Sequence, residues 1–180
     1  MHNVTEFKMD RWIQEHASSA KVSLHGSNIG TLSLSDLQKL DPDAPILDSD
    51  LQLSYGPAQG SIKLRERIAA LYSSPEVPLT AENVVVTPGS IMANYLTVVN
   101  LASPGDHIIV QYPIFPQLLS IPKFHDISMS LWKLKLTSTG WEPDLDELKS
   151  LIRPNTKAII IKYFPISFGP GLSFSADLLW

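Results

Sequence analysis

The most diagnostic segment of this chain is Val84-Val85-Val86-Thr87-Pro88-Gly89-Ser90-Ile91-Met92-Ala93-Asn94. Its β-branched run predicts a buried strand, which ends at a Pro-Gly turn and is followed at once by a helix. The first N–H groups of a helix lack internal partners and carry partial positive charge. Gly89 allows a close approach of the backbone and Ser90 adds a hydroxyl, so the segment predicts a phosphate site. In isolation the motif is weak, because many such strand–helix turns bind no ligand.

The composition is typical of a soluble globular protein, with 180 residues of which 44% are hydrophobic and 18% charged. The net charge of -4, without a basic run, argues against nucleic acid or an anionic membrane surface as a partner. The absence of cysteine excludes disulfides and thiolate chemistry. The histidines show no metal-ligand spacing, so no metal site is expected. Because no signal peptide or membrane-spanning stretch is visible, a cytoplasmic location is expected.

Beyond residue 80, short apolar segments alternate with helical patterns. Strands are expected at 84–87, 107–111, 127–134 and 157–161, and helices are expected to begin near Ser90, Gln117 and Asp144. Such alternation predicts βαβ units and a mostly parallel sheet. The segment Gly140-Trp141-Glu142-Pro143 is expected to be a loop.

The first sixty residues have a different pattern. An amphipathic helix is expected near residues 9–17, then a loop-like region with a short helix at 35–40. A further helix is expected after Gly60, and its charged residues are expected to be mostly solvated: Lys63, Arg65, Glu66 and Arg67.

In order and spacing, these landmarks resemble the fold-type I pyridoxal-phosphate enzymes, specifically the class I/II aminotransferases. The resemblance covers roughly residues 20–161. It rests on Tyr55-Gly56-Pro57-Ala58-Gln59-Gly60, Val86-Thr87-Pro88-Gly89-Ser90, Pro104-Gly105-Asp106, Tyr112-Pro113-Ile114-Phe115, Trp141-Glu142-Pro143-Asp144-Leu145 and Pro154-Asn155-Thr156-Lys157-Ala158-Ile159-Ile160-Ile161.

The resemblance implies pyridoxal 5'-phosphate as cofactor and assigns roles to matching residues. The turn at Gly89 and the amides of Ser90 and Ile91 would hold the phosphate, and Phe115 would stack on the pyridine ring. Tyr55 would reach the phosphate of the cofactor in the partner subunit, which implies a homodimer. Asn28 and Gly30 match more loosely the arm that approaches the substrate. The simpler alternatives remain open: Tyr55 as a loop aromatic and Phe115 as ordinary core.

The chain departs from the family pattern after residue 161. The family has Asn-x-Pro-x-Asn-Pro-x-Gly, whereas this chain has Lys162-Tyr163-Phe164-Pro165-Ile166-Ser167-Phe168-Gly169, so Ser167 takes the place of an asparagine that contacts the cofactor. The lysine that forms the Schiff base, the aspartate on the ring nitrogen and the arginine for the substrate carboxylate are expected further on and are absent here. Neither Lys123 nor Lys162 is expected to replace the lysine, so no catalytic residue is assigned.

The resemblance therefore implies an α/β fold: a three-layer aminotransferase-like large domain, incomplete, with helices on both faces of a mostly parallel sheet and an N-terminal helical arm in front. The expected division is 1–60 for the helix, arm and linker, and 61–180 for a partial cofactor-binding domain truncated before the catalytic lysine. The incomplete sheet is expected to leave apolar surface uncovered, which favours aggregation.

The implied activity is amino-group transfer between an amino acid and a 2-oxo acid, with the present chain an N-terminal fragment inactive alone. One alternative is a non-catalytic pseudoenzyme or truncated product. Another is a different pyridoxal-phosphate enzyme of the same fold, such as a lyase or cyclase. A nucleotide-binding Rossmann domain is disfavoured, because no Gly-x-Gly-x-x-Gly follows a strand.

Overall fold

The structure is a computed structural model that describes residues 6–22, 30–43, 50, 52–138 and 140–162. In chain order its helices and strands are α1 (Lys8–His16), α2 (Leu34–Leu40), α3 (Ile62–Tyr72), α4 (Gly89–Leu101), β1 (His107–Tyr112), α5 (Gln117–Phe124), β2 (Ser128–Lys133), β3 (Lys135–Thr137), β4 (Gly140–Glu142), α6 (Leu145–Leu151) and β5 (Thr156–Ile160). Short 3₁₀ turns lie at Ala17–Ser19 and Ala81–Asn83.

Side chains at the helix starts explain two of the boundaries. The Ser33 hydroxyl accepts from the Asp36 amide, and the Asp36 carboxylate accepts in return from the Ser33 amide, each at 3.1 Å. This reciprocal capping box starts α2. The Asp144 carboxylate accepts from the amides of Asp146 and Glu147, both at 3.0 Å, and so starts α6 where the sequence predicted it.

Three parallel strands form the central sheet in the order β2-β1-β5. On one face, Val98 of α4, its C-cap residue Ala102 and Ile121 of α5 pack against Ile108 and Val110 of β1 to make the main hydrophobic cluster. The predicted α/β class with a mostly parallel sheet is confirmed.

The opposite face of the sheet carries α6. Trp132 of β2 is almost fully buried there, and its indole N–H donates to the Asp144 carbonyl oxygen at 2.8 Å. Helices therefore cover both faces, which gives the expected three layers.

Two predicted elements are wrong. Residues 84–87 form no strand, although Val84 has extended backbone angles. The Val84 amide donates to the Ala81 carbonyl oxygen at 3.1 Å and the Val86 amide to the Gln59 carbonyl oxygen at 2.9 Å, which is not the ladder of a strand pair. An extended run becomes a strand only beside a pairing neighbour. The expected loop at Gly140 instead forms β4, which pairs antiparallel with β3.

The predicted burial of α3 also needs correction. Arg65 is only 6% exposed, contrary to the expectation that it is solvated. Arg65 and Ala69 lie one helical turn apart and are the buried residues of α3, and the helix contacts the turn at Ala81–Asn83. The helix therefore buries this stripe, while Leu64 and Leu71 are exposed.

The chain is divided into two compact units, one of residues 1–21 and 88–180, the other of residues 22–87. The predicted division at residue 60 stays a prediction. Within the described residues, no helix has both the length and the apolar character needed to cross a membrane.

Candidate functional site

The turn and helix start predicted to hold a phosphate are present. Gly89 has a φ of +81°, a left-handed conformation that favours glycine, and α4 begins there and runs for 13 residues. The residue before the helix is Pro88, which offers no side-chain cap, and the first turn contains no acidic residue. Ser90 and Ile91 are exposed. Their amides thus lie at the positive end of a long helix with no side-chain acceptor from the cap.

The start of α4, predicted to hold a phosphate, is hydrogen-bonded to the start of α5, which follows the predicted stacking residue Phe115. Gln117, the first residue of α5, donates from Nε2 to the Ile91 carbonyl oxygen at 2.7 Å. The Asn94 side chain donates to Gln117 Oε1 at 3.1 Å. Phe115 lies two residues before Gln117, in the loop between β1 and α5, and is half-buried. The sequence did not reveal these contacts, because Gln117 belongs to no motif and its partners Ile91 and Asn94 lie 26 and 23 residues away.

The other predicted site residues lie in the second compact unit. The Tyr55 side chain is fully exposed. Gly30 is exposed, and a Cβ atom added there would meet nothing within 4 Å. Asn28 lies outside the described residues. The roles of Tyr55, Gly30 and Asn28 stay predictions.

Gly60, the last residue of the motif that contains Tyr55, lies very close to the side chain of Val86. It has a φ of +95°, and a Cβ atom added there would lie 2.7 Å from Val86 Cβ. Only glycine fits this contact without a shift of the backbone. The motif is therefore packed directly against the chain segment that leads to Pro88.

The two lysines considered in the sequence are both exposed. Lys123 lies in α5, and Lys162 follows β5, where its backbone N–H donates to the buried side-chain oxygen of Gln111 at 3.1 Å. In the part of the chain that the structure describes, no group of three or more metal-ligating side chains lies together.

The family model for aminotransferase class I and II matches residues 26–164. The chain belongs to this family. Mouse tyrosine aminotransferase is 35% identical over 115 residues, which are 64% of this chain and 25% of that protein. Aspartate aminotransferase of Sulfurisphaera tokodaii is also 35% identical, over 59% of this chain and 27% of its own length. The match therefore spans about a quarter of these curated relatives.

Solved structures agree with this class I and II membership. A pyridoxal-phosphate-dependent aminotransferase from Streptococcus suis superimposes with a TM-score of 0.76 at 32% identity, over 87% of this chain and 42% of that one. The pyridoxal-phosphate-dependent cyclase OrfR gives a TM-score of 0.73 at 23% identity, over 92% of this chain and 42% of its own, and shows the shared fold alone. The family implies pyridoxal phosphate as the cofactor.

The residues of this chain fit that cofactor. A phosphate dianion suits backbone donors at a helix start from which side-chain caps and acidic groups are missing, as at Ser90 and Ile91. An aromatic ring suits a flat heterocycle, and Phe115 supplies one in the adjoining loop.

Proposed function

We propose that this chain is the cofactor-phosphate-binding part of a pyridoxal-phosphate-dependent aminotransferase that moves an amino group between an amino acid and a 2-oxo acid. The observation that carries the proposal is the start of α4, which has no side-chain cap from Pro88 and where the exposed residues Ser90 and Ile91 follow the Gly89 turn. In the proposed site these amides hold the phosphate, and Phe115 orients the ring by stacking on it. When bound, the cofactor supplies a conjugated ring that withdraws electrons from the bond broken at the substrate α-carbon.

Proton transfer to and from substrate needs an amine or another base beside the ring, and we assign that role to no described residue. Lys123 and Lys162 are exposed. We therefore propose that the 180 residues alone bind the phosphate without performing the transfer. We also propose that Tyr55 serves the cofactor of a second copy in a homodimer. A non-catalytic homologue and a lyase or cyclase of the same fold are the competing functions.

The binding proposal is tested by titrating the protein with inorganic phosphate and with pyridoxamine 5'-phosphate, while the backbone amides are followed by NMR. Pyridoxamine phosphate has no aldehyde, so it cannot react with surface lysines. We expect the Ser90 and Ile91 resonances to shift with both ligands. The start of α6 is the internal control, because Asp144 already occupies the amides of Asp146 and Glu147. Shifts spread over both helix starts, or none at Ser90 and Ile91, would contradict the proposal.

A second measurement separates binding from catalysis. Pyridoxal phosphate is added, and the protein is treated with borohydride and examined by peptide mass spectrometry. The proposal predicts no single lysine labelled in preference to the others. Stoichiometric attachment to one lysine would contradict it and would indicate a complete catalytic site in this chain.

A further inference from the structure

The buried side chain of Gln117 joins the two elements that the proposed function assigns to the cofactor. Gln117 is 7% exposed, and its side-chain amide forms two hydrogen bonds. Its NH2 group donates to the Ile91 carbonyl oxygen at 2.7 Å, and its oxygen accepts from Asn94 Nδ2 at 3.1 Å. Ile91 and Asn94 lie in the first two turns of α4, and Gln117 opens α5. One side chain thus connects the start of one helix to the start of the next.

The direction of each hydrogen bond is set by chemistry. The Ile91 carbonyl oxygen can only accept, so Gln117 must present its NH2 group to Ile91 and its oxygen to Asn94, which then donates from Nδ2. Ile91 therefore sets the orientation of the Gln117 amide, and Asn94 satisfies the oxygen that is left. A buried amide costs free energy unless it is bonded, whereas an apolar side chain would fill the same space without that cost.

Gln117 is also closely coupled in sequence to Phe115. A single residue, Pro116, separates them, and Pro116 is the N-cap of α5 with its φ fixed by the ring. The Phe115 carbonyl oxygen accepts from the Leu118 amide at 3.0 Å, so the loop is tied to the first turn of α5. Whatever fixes Gln117 against Ile91 therefore also fixes the Phe115 loop against the amides of Ser90 and Ile91.

We propose that Gln117 is a positioning residue that sets the separation between the phosphate-binding amides of α4 and the stacking ring of Phe115. The inference rests on the proposed function. It predicts that the affinity of a ligand that contacts both the α4 amides and the Phe115 ring depends on Gln117. The affinity of a ligand that contacts the amides alone does not.

The test compares Gln117→Leu with the unchanged protein, using pyridoxamine 5'-phosphate for both contacts and inorganic phosphate for the amides alone. We expect about a tenfold loss of affinity for pyridoxamine phosphate, of the order of one hydrogen bond, and little change for phosphate. Gln14→Leu is the matched control, because it makes the same substitution at an exposed position of α1 and should change neither affinity.

The outcomes separate the two proposals. If the unchanged protein binds neither ligand at Ser90 and Ile91, the proposed function fails and the inference fails with it. If it binds both and Gln117→Leu weakens them equally or not at all, the inference alone is overturned, because a merely structural role acts on both ligands alike. Should Gln117→Leu not fold, Asn94→Ala replaces it in the comparison, since it removes the second hydrogen bond that holds the Gln117 amide in place and should selectively weaken pyridoxamine phosphate.

Discussion

At the residue scale, His107 is fully buried where three parallel strands begin. Its Nδ1 lies 2.8 Å from Thr156 Oγ1, and its Nε2 lies 2.9 Å from Ser130 Oγ. Both hydroxyl oxygens also accept from Arg153, Thr156 Oγ1 from its amide at 2.8 Å and Ser130 Oγ from its Nη2 group at 3.2 Å. A hydroxyl can donate or accept, so either neutral tautomer of His107 finds a partner for its N–H and a donor for its other nitrogen. The neutral imidazole satisfies this network on both sides.

Protonation of His107 is disfavoured in the folded protein. Burial lowers the pKa of His107 from its usual 6.5, and the nearby positive charge of Arg153 lowers this pKa further. The unfolded chain consequently binds more protons than the folded chain when the pH lies between the two pKa values. The contribution of neutral, buried His107 to stability is complete above its pKa in the unfolded chain. This contribution is lost as the pH falls toward its pKa in the folded protein.

We therefore predict that acidification from about pH 7 lowers the free energy of unfolding, by up to about 1.4 kcal/mol per pH unit from this one group. Urea unfolding at several pH values measures how steeply the free energy of unfolding changes with pH. His107→Gln, which keeps a donor and an acceptor but does not titrate, should flatten this dependence. An unchanged slope in that variant would assign the pH dependence to other groups.

Arg65 illustrates what the sequence could not reveal at this scale. Its guanidinium donates to the carbonyl oxygens of Ala81 at 2.8 Å and Gly60 at 3.3 Å, and it lies 3.6 Å from the Glu82 carboxylate. Hydrophobic periodicity assigns an arginine to the solvated side of a helix, because that pattern contains no information about which carbonyl groups lie opposite. The same reason hid Gln117, whose partners are distant in sequence.

At the element scale, the elements predicted correctly are those with their own local signals. Helices α4 and α6 begin at a glycine turn and at an aspartate cap, and β1 contains a short apolar run, 108–110, that is buried on both faces. The failures involve pairing. Residues 84–87 have the composition of a strand but pair with no other strand in the described part of the chain. Strands β3 and β4 form a pair of three residues each, and nothing in their composition predicts that they pair. Strand pairing depends on the partner, which local patterns do not contain.

The central position of β1 leads to a prediction about its core. Ile109 of β1 is fully buried, and its partner across the ladder, Ile159 of β5, is 41% exposed. Ile109→Ala should lower the free energy of unfolding by about 2–5 kcal/mol, because it removes buried methyl groups and leaves a cavity. Ile159→Ala makes the same change in the neighbouring strand and should cost clearly less. Urea unfolding followed by circular dichroism measures both, and equal losses would show that β5 is as enclosed as β1.

At the scale of the whole molecule, the predicted cofactor contacts divide between the two compact units. Ser90, Ile91 and Phe115, expected to bind the cofactor of their own chain, belong to the unit that contains residues 88–180. Tyr55, expected to serve the partner subunit, belongs to the unit of residues 22–87. The family pattern in the sequence was sufficient to predict the fold class, whereas the residue roles rest on the binding experiments above.

The surface of the molecule carries apolar side chains that a monomer leaves in water. Along α4, four of them form a contiguous stripe: Ile91 59% exposed, Met92 40%, Tyr95 37% and Leu96 40%. Exposed apolar stripes of this kind favour association with another apolar surface.

We predict that the 180-residue chain associates increasingly as its concentration rises, and that the α4 stripe contributes to the contact. Leu96→Glu should shift sedimentation-velocity profiles toward monomer, because a carboxylate within the stripe must be desolvated on association. Thr97→Glu is the matched control: it adds the same charge at a neighbouring exposed position outside the stripe. If both variants dissociate the protein equally, net charge rather than the stripe governs association, and a monomer at every concentration would contradict the prediction altogether.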